Sequence, residues 1–259
     1  MGDAAVSAII TIGTFDGVHR GHQCLLTQVV QRARYLGLKS YAVTFDPHPR
    51  SVLYPSQPVV VLTDVPEKVD LIRQCGIDEV WVCSFTVELS RLGPEEFIHL
   101  VQERQPIEEL WVGADFALGR GRAGTFAALA ELGGASGWGL HMVPPYRLEG
   151  QVVASSAIRT LLAAGAVQGA AELLGRPYTV PGQLSCDGPE TLFHPRPLRT
   201  LPKALTYAAQ ISLRERVYDG EAIIPPTEAS PLPIRVQLAT SERPSSGPAS
   251  LTFVRRLSA

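Results

Sequence analysis

The chain has 259 residues, 45% of them hydrophobic and 19% charged, with a net charge of −2 and four cysteines. That length suits two domains, the charge offers no basic stripe for nucleic acid, and no apolar run reaches the length of a membrane span. Cys24, Cys75, Cys83 and Cys186 lie far apart with no C-x-x-C pair, which argues against a disulfide framework or a thiolate zinc site and for the reducing cytoplasm.

The opening "MGDAAVSAII" carries Asp3 where a secretory leader needs basic residues, so no leader is expected. From there to Tyr178 the sequence alternates apolar runs with amphipathic segments. "SAIITIG" (7–13) reads as a buried strand and "HQCLLTQVVQRARYLG" (22–37) as a helix closed by glycine. "SYAVTF" (40–45), "EVWVCSF" (79–85), "ELWVGA" (109–114) and "LHMVPPY" (140–146) read as further strands, and three of the cysteines, in apolar stretches, as small core residues. Between the strands, "PEKVDLIRQCG", "PEEFIHLVQER" and "TFAALAELGGASGW" have helical spacing, the first two opening on proline and acid. Continuous apolar strands alternating with helices predict an α/β domain with a parallel, Rossmann-like sheet covered on both faces. Ligands bind such sheets beyond the carboxyl ends of the strands, which gathers "GTFDGVHRGH", "TFDPHPR" and "VGADF" on one rim. Two helices follow, near 156–164 and 167–174. The 81 residues after Tyr178 hold 11 of the 21 prolines, and their short alternating runs "LTYAAQISL", "GEAII", "PIRVQLA" and "SLTFVRRL" predict a small antiparallel β-barrel-like domain. "TSERPSSGPAS" (240–250) reads as a polar loop. The domains are accordingly set at 1–178 and 179–259.

The stretch "TFDGVHRGHQ" (14–23) places His19 and His22 three residues apart at a strand-to-helix turn. It admits a metal site or a phosphate cradle. Nothing nearby completes a ligand set around the histidines and Asp16, so no metal ligands are assigned. Phosphate fits better. Gly13, Gly17 and Gly21 allow tight turns, the helix start aims unpaired N–H groups at the loop, and imidazoles donate to phosphate oxygens whose charge grows during transfer. In "TFDPHPR" (44–50), Pro47 and Pro49 predict a rigid extended turn holding His48 outward; a proline-stiffened loop without a ligand is the alternative. In "ASSAIRTLL" (154–162), Ser155 or Ser156 is expected to cap a helix, with Arg159 one turn in; a plain cap with a surface arginine is the alternative.

The spacing H-x-G-H of His19 to His22 resembles the signature of the nucleotidyltransferase superfamily. The longer string "IGTFDGVHRGHQ" resembles the FMN adenylyltransferase module of prokaryotic FAD synthetases, enzymes usually fused to a riboflavin kinase. "TFDPHPR" is similar to that family's flavin-side loop. "VGADFALGRGRAGT" (112–125) resembles its G-x-[DN]-F-x-F-G element, with Leu118 where phenylalanine is common. "ASSAIR" resembles its S-S-[ST]-x-[IV]-R segment, with Ala154 in place of the first serine. The resemblance implies adenylyl transfer from ATP to FMN, giving FAD and pyrophosphate, with Mg²⁺ accompanying ATP. It implies that His19, His22 and Arg159 are catalytic, and that Gly13, Thr14, Phe15, Asp16, Gly17, Gly21, Gly113, Asp115, Ser155 and Ser156 bind ATP. Pro47, His48 and Pro49 would line the flavin side, and the partners would be these small molecules, with neither nucleic acid nor membrane. Phe116 would pack its loop, and Arg120 and Arg122 would be available to phosphates.

The last 81 residues depart from the pattern. "LGRPYTVPGQL" resembles the entry to the family's kinase barrel and "LTYAAQISLRERVYDGEAII" its central hairpin. The G-x-P-T-A-N element and the E-x-H-L-x-D/N-F context are absent, and "DGPETLFHPRPLRTLPKAL" and "PIRVQLATSE" stand in their places. The resemblance therefore implies a degenerate kinase-like domain without kinase activity.

Overall fold

In the computed structural model, residues 6–57, 59–186, 190–226, 233–240 and 244–257 are described. The chain divides into two compact units, Met1–Val59 with Val65–Val152, and Val60–Asp64 with Val153–Ala259.

In the first unit, β1 (Ala8–Ile12) leads through the histidine stretch to α1 (Arg20–Leu36) and β2 (Lys39–Asp46). Then come α2 (Pro49–Leu53), α3 (Val65–Gln74), β3 (Glu79–Ser84), α4 (Val87–Arg91), α5 (Pro94–Arg104) and β4 (Ile107–Gly113). A 3-10 turn (Arg120–Arg122), α6 (Phe126–Ser136), β5 (Gly139–Val143) and a short hairpin of β6 (Arg147–Leu148) and β7 (Gln151–Val152) complete it. The sheet runs β3-β2-β1-β4-β5 with every pairing parallel. All five residues of β1 are buried, as a strand covered on both faces requires. Ile10 and Ile12 face a core with Leu110, Val112, Phe97 and Leu129. Ile9 faces another, built on Leu25, Leu26 and Val29 of α1, whose i, i+3, i+4 spacing is what folds that segment as a helix. The strand order reverses between β1 and β4, so loops leaving those two strands part to opposite faces and open a crevice at their carboxyl ends.

In the second unit, α7 (Ser155–Ala164) and α8 (Val167–Leu174) precede β8 (Tyr178–Ser185), β9 (Thr191–Pro195), β10 (Thr206–Leu213), β11 (Arg216–Ile223), β12 (Ile234–Leu238) and β13 (Gly247–Arg256). These six strands close a barrel in the order β10-β11-β12-β9-β8-β13. Alternate residues of β10, namely Tyr207, Ala209, Ile211 and Leu213, point inward, and the Tyr207 hydroxyl donates to the Lys203 carbonyl at 2.8 Å. Residues Val60–Asp64 belong to this unit. The Val61 N–H donates to the Leu198 carbonyl at 2.8 Å, the Val61 carbonyl accepts from the Thr200 N–H at 2.9 Å, and Asp64 pairs with Arg196 at 2.6 Å.

The parallel sheet and the barrel agree with the sequence reading, and four local readings are corrected. The strand expected through Tyr146 ends at Val143, ahead of the Pro144–Pro145 pair, which cannot feed a ladder. The polar loop expected over 240–250 becomes strand from Gly247, where Pro248 stands opposite Gln183; residues 241–243 of that stretch lie outside the described residues. Of the cysteines in apolar stretches, Cys83 is buried, whereas Cys24 and Cys75 are only partly so. The helix expected from His22 begins at Arg20. Among the described residues, no helix is long and apolar enough to cross a membrane.

Candidate active site

The turn after β1 is built under strain. Phe15 (φ 47°), Gly17 (φ 85°) and Val18 (φ 38°) all lie in the left-handed region, which glycine tolerates and a β-branched valine adopts only when its surroundings force it. Burial of Phe15 and Val18 in the α1-side core supplies that force. Strain of order 1–3 kcal/mol per such residue gathers at functional turns, and here the Val18 N–H closes the turn on the Phe15 carbonyl at 3.1 Å.

His19 is the N-cap of α1. Its Nδ1 accepts from the His22 N–H at 3.3 Å, so in the neutral ring the proton sits on Nε2. The two imidazoles stack at a centroid distance of 3.7 Å and 16° between planes, with Phe15 edge-on to His22 at 5.3 Å. His22 lies one turn before Leu25 and Leu26 on the inward side of α1, and its Nδ1 is fully buried without a hydrogen-bond partner. Burial first, then His19 and the Lys68 ammonium, holds the His22 imidazole well below the usual histidine range. His22 is therefore a neutral donor at physiological pH. The unfolded chain takes up this proton near pH 6.5 and the folded one only at lower pH, so folding stability is intact above 6.5 and declines as pH falls, by at most about 1.4 kcal/mol per pH unit. His22→Gln removes this contribution, and its melting temperature is expected to fall less than that of the wild type between pH 7 and pH 5 in differential scanning calorimetry.

Asp16, 4% exposed, is buried beside the histidines. Sequence reading missed the group that faces it. Lys68 on α3 is 6% exposed, and its Nζ donates to the Thr14 carbonyl at 3.2 Å and the Phe45 carbonyl at 3.1 Å. Burial lowers its pKa, and Asp16 and Asp46 oppose that shift. The only signal was one lysine in an otherwise ordinary amphipathic helix. The Thr44 hydroxyl also donates to the Thr14 carbonyl, at 3.2 Å.

The loop at 44–50 differs from the extended turn expected. After a cis Asp46–Pro47 bond, Pro49 opens the one-turn helix α2, and His48 caps it, its Nδ1 accepting from the Arg50 N–H at 3.2 Å. Proline at a first helical position has no N–H to lose and a preset φ, so a helix wins over an extended loop. Beyond β4, the Arg122 guanidinium donates to the Asp115 carbonyl at 2.8 Å and closes that loop on itself, while Arg120 is exposed.

A cleft of about 690 Å³ opens at the carboxyl ends of β1, β2 and β4. Gly13, Thr14, His48 and Pro49 line it, together with Phe45 and Phe116. Phe116 thus both packs against the neighbouring core and walls the cleft. His19, His22, Phe15, Asp16, Gly17 and Gly21 form the turn that continues from Gly13 and Thr14, Gly113 and Asp115 stand at the end of β4, and Pro47 is exposed beside His48. Ser155, Ser156 and Arg159 are on α7 in the second unit. Neither serine is its cap. Ala154, extended at φ −144°, occupies that place without a side-chain bond, because Ser155 is already helical. The Arg159 guanidinium donates to the Val60 carbonyl at 3.3–3.4 Å. Among the described residues no three His, Cys, Asp or Glu side chains cluster as a metal site.

A family model described as FAD synthetase matches residues 3–157. The chain is 34% identical over 183 residues to a bifunctional riboflavin kinase/FMN adenylyltransferase of Pseudomonas fluorescens, covering 68% of this chain and 57% of that one. It is 32% identical to the protein so named in Escherichia coli (strain K12), covering 68% and 56%. The chain thus spans little more than half the length of these relatives. A putative protein of that name from Geobacillus thermodenitrificans is 34% identical, covering 66% of this chain and 92% of that one. Among solved structures, a crystal structure described as a macrolide-efflux protein from Streptococcus pneumoniae superimposes with a TM-score of 0.86 at 19% identity, covering 98% of this chain and 86% of that one; at that identity the likeness is one of fold.

Proposed function

Because the chain belongs to the FAD synthetase family, we propose that it transfers the adenylyl group of ATP to FMN, releasing pyrophosphate and forming FAD. One observation carries this reading. A strained turn, a helix N-terminus and two stacked imidazoles sit directly beside a cleft walled by aromatic and apolar side chains. The turn suits a polyanion and the cleft a flat ring system.

An FMN phosphate oxygen is already a competent nucleophile. It attacks the α-phosphorus of ATP, a new P–O bond forms, and the bond to the β-phosphate oxygen breaks with its electron pair leaving on pyrophosphate. The protein therefore needs to position reactants and stabilise charge rather than form a covalent intermediate. His19 and His22 donate N–H bonds to phosphate oxygens as their charge rises. Being neutral, His22 offers one N–H to donate. Gly13 to Gly17 and Gly21 contribute backbone to the triphosphate, Gly113 and Asp115 hold the adenosine side, and Pro47, His48 and Pro49 hold the flavin side. Ser155, Ser156 and Arg159 receive the pyrophosphate. Mg²⁺ would enter with the nucleotide substrate and offset its charge, an ion that asks for few protein ligands. The transferase portion runs to residue 178, and use of ATP with reduced thiols fits the cytoplasm.

The test is incubation with FMN, ATP and Mg²⁺, following FAD by chromatography and pyrophosphate by a coupled assay. Stoichiometric appearance of both supports the reading, and absence of both sinks it. A second reading is favoured by the closed barrel and by the relatives' bifunctional names, namely that riboflavin kinase activity persists. We hold to its absence, on the missing G-x-P-T-A-N element. FMN accumulating from riboflavin and ATP would reverse that choice.

A further inference from the structure

Lys68 has no part in the chemistry just proposed, yet its ammonium is nearly inaccessible and reaches two loops at once. Nζ is 3.2 Å from the Thr14 carbonyl, where the histidine turn leaves β1, and 3.1 Å from the Phe45 carbonyl, where the chain leaves β2 toward Pro47, His48 and Pro49. The adjoining carboxylates of Asp16 and Asp46, one on each loop, both stabilise its charge. Taking an ammonium out of water costs several kcal/mol unless it is paired and hydrogen-bonded, and an unbranched apolar side chain would fill the same place without that cost. The β1–β2 ladder ends at the pair Ile12 and Val43, and both carbonyls lie past it, where that ladder no longer fixes the two chains against each other. What the ammonium adds over an apolar filler is a rigid link between the two loop roots.

We propose that Lys68 is a positioning residue that locks the nucleotide-side and flavin-side loops in one register, so that the two bound substrates meet in line. This rests on the transferase reading above. Orientation is worth most where reacting atoms must align, and a misplacement near 1 Å can cost ~10² in rate. Lys68→Met, close in length and uncharged, is expected to lower kcat for FAD formation by roughly 30- to 100-fold, while the separate dissociation constants of FMN (by its fluorescence) and of a non-hydrolysable ATP analogue stay within about threefold of wild type. A kcat within threefold of wild type overturns the proposal. So does a kcat loss matched by equal losses of both affinities, because a merely structural role weakens binding and turnover together.

A second measurement uses the unaltered protein and does not depend on the variant folding. In amide hydrogen exchange, the ATP analogue alone is expected to slow exchange at His48, Arg50 and Ser51 as well as in residues 14–22. Protection confined to residues 14–22 overturns the link while leaving the transferase reading intact. Protection in neither stretch removes the transferase reading itself, and the link with it.

Discussion

His22→Ala is expected to reduce FAD formation at saturating ATP and FMN by ~10²- to 10³-fold, the usual loss when one donor to developing transition-state charge is removed. The expectation follows from placement. The ring lies on the inward side of the first turn of α1, stacked on His19 at 3.7 Å, with its buried Nδ1 unpartnered. A ring kept neutral carries one N–H that can donate to a ligand. The loss should appear in kcat more than in KM, because the donated bond strengthens as charge develops on the phosphoryl oxygens. His22→Gln keeps an N–H donor and should recover part of the rate. Turnover of His22→Ala within a few-fold of wild type would falsify the assignment of this imidazole to the reaction.

Gly182→Ala is expected to destabilise the second unit by about 2–3 kcal/mol, the upper part of the range for overpacking, because the neighbour it meets is immobile. A Cβ at Gly182 would lie 2.2 Å from the His194 carbonyl oxygen and 2.6 Å from the Phe193 ring. The first of these is backbone of the neighbouring strand β9, whose Pro195 stands opposite Gly182 and His194 opposite Gln183, and it cannot swing aside as a flexible side chain can. Chemical denaturation followed by circular dichroism measures the change. Gly247→Ala is the control. It lies on β13, where the added methyl meets nothing nearer than Leu213 at 3.8 Å, and its stability should stay within about 1 kcal/mol of wild type. Equal stability of the two variants would mean that β8 and β9 do not approach as closely as described.

The α/β sheet was legible because β1, β2 and β4 are built around apolar runs spaced by amphipathic helices, a pattern with few other solutions. The barrel was legible in kind but not in count. Strands β8 and β9 carry Pro181 and Pro195, which mask their alternation, and their pairing is supplied by partners distant in sequence. The histidine turn could be found from residue types alone, since imidazoles, glycines and an aspartate rarely crowd ten positions. Its backbone handedness could not, because Phe15 and Val18 are residues that avoid positive φ unless packing compels it. Local rules erred at two helix starts. Ser155 or Ser156 was read as a cap from what a serine side chain prefers, and His48 as held outward from the prolines on either side of it. The backbone instead puts the cap at Ala154 and gives capping to His48. Lys68 escaped notice because a single lysine on a helix carries no sign of which way it points.

The short stretch Val60–Asp64, interposed within the sequence of the first unit yet hydrogen-bonded to Leu198 and Thr200, bears on how the molecule is made. During synthesis on the ribosome it emerges well before the residues that will satisfy its amide and carbonyl, so the second unit cannot be finished until most of the polypeptide exists. Cutting the gene at any single point would either part this stretch from its partners or divide the first unit. A dissection of the two units would instead have to replace residues 60–64 in one half and graft them onto the other.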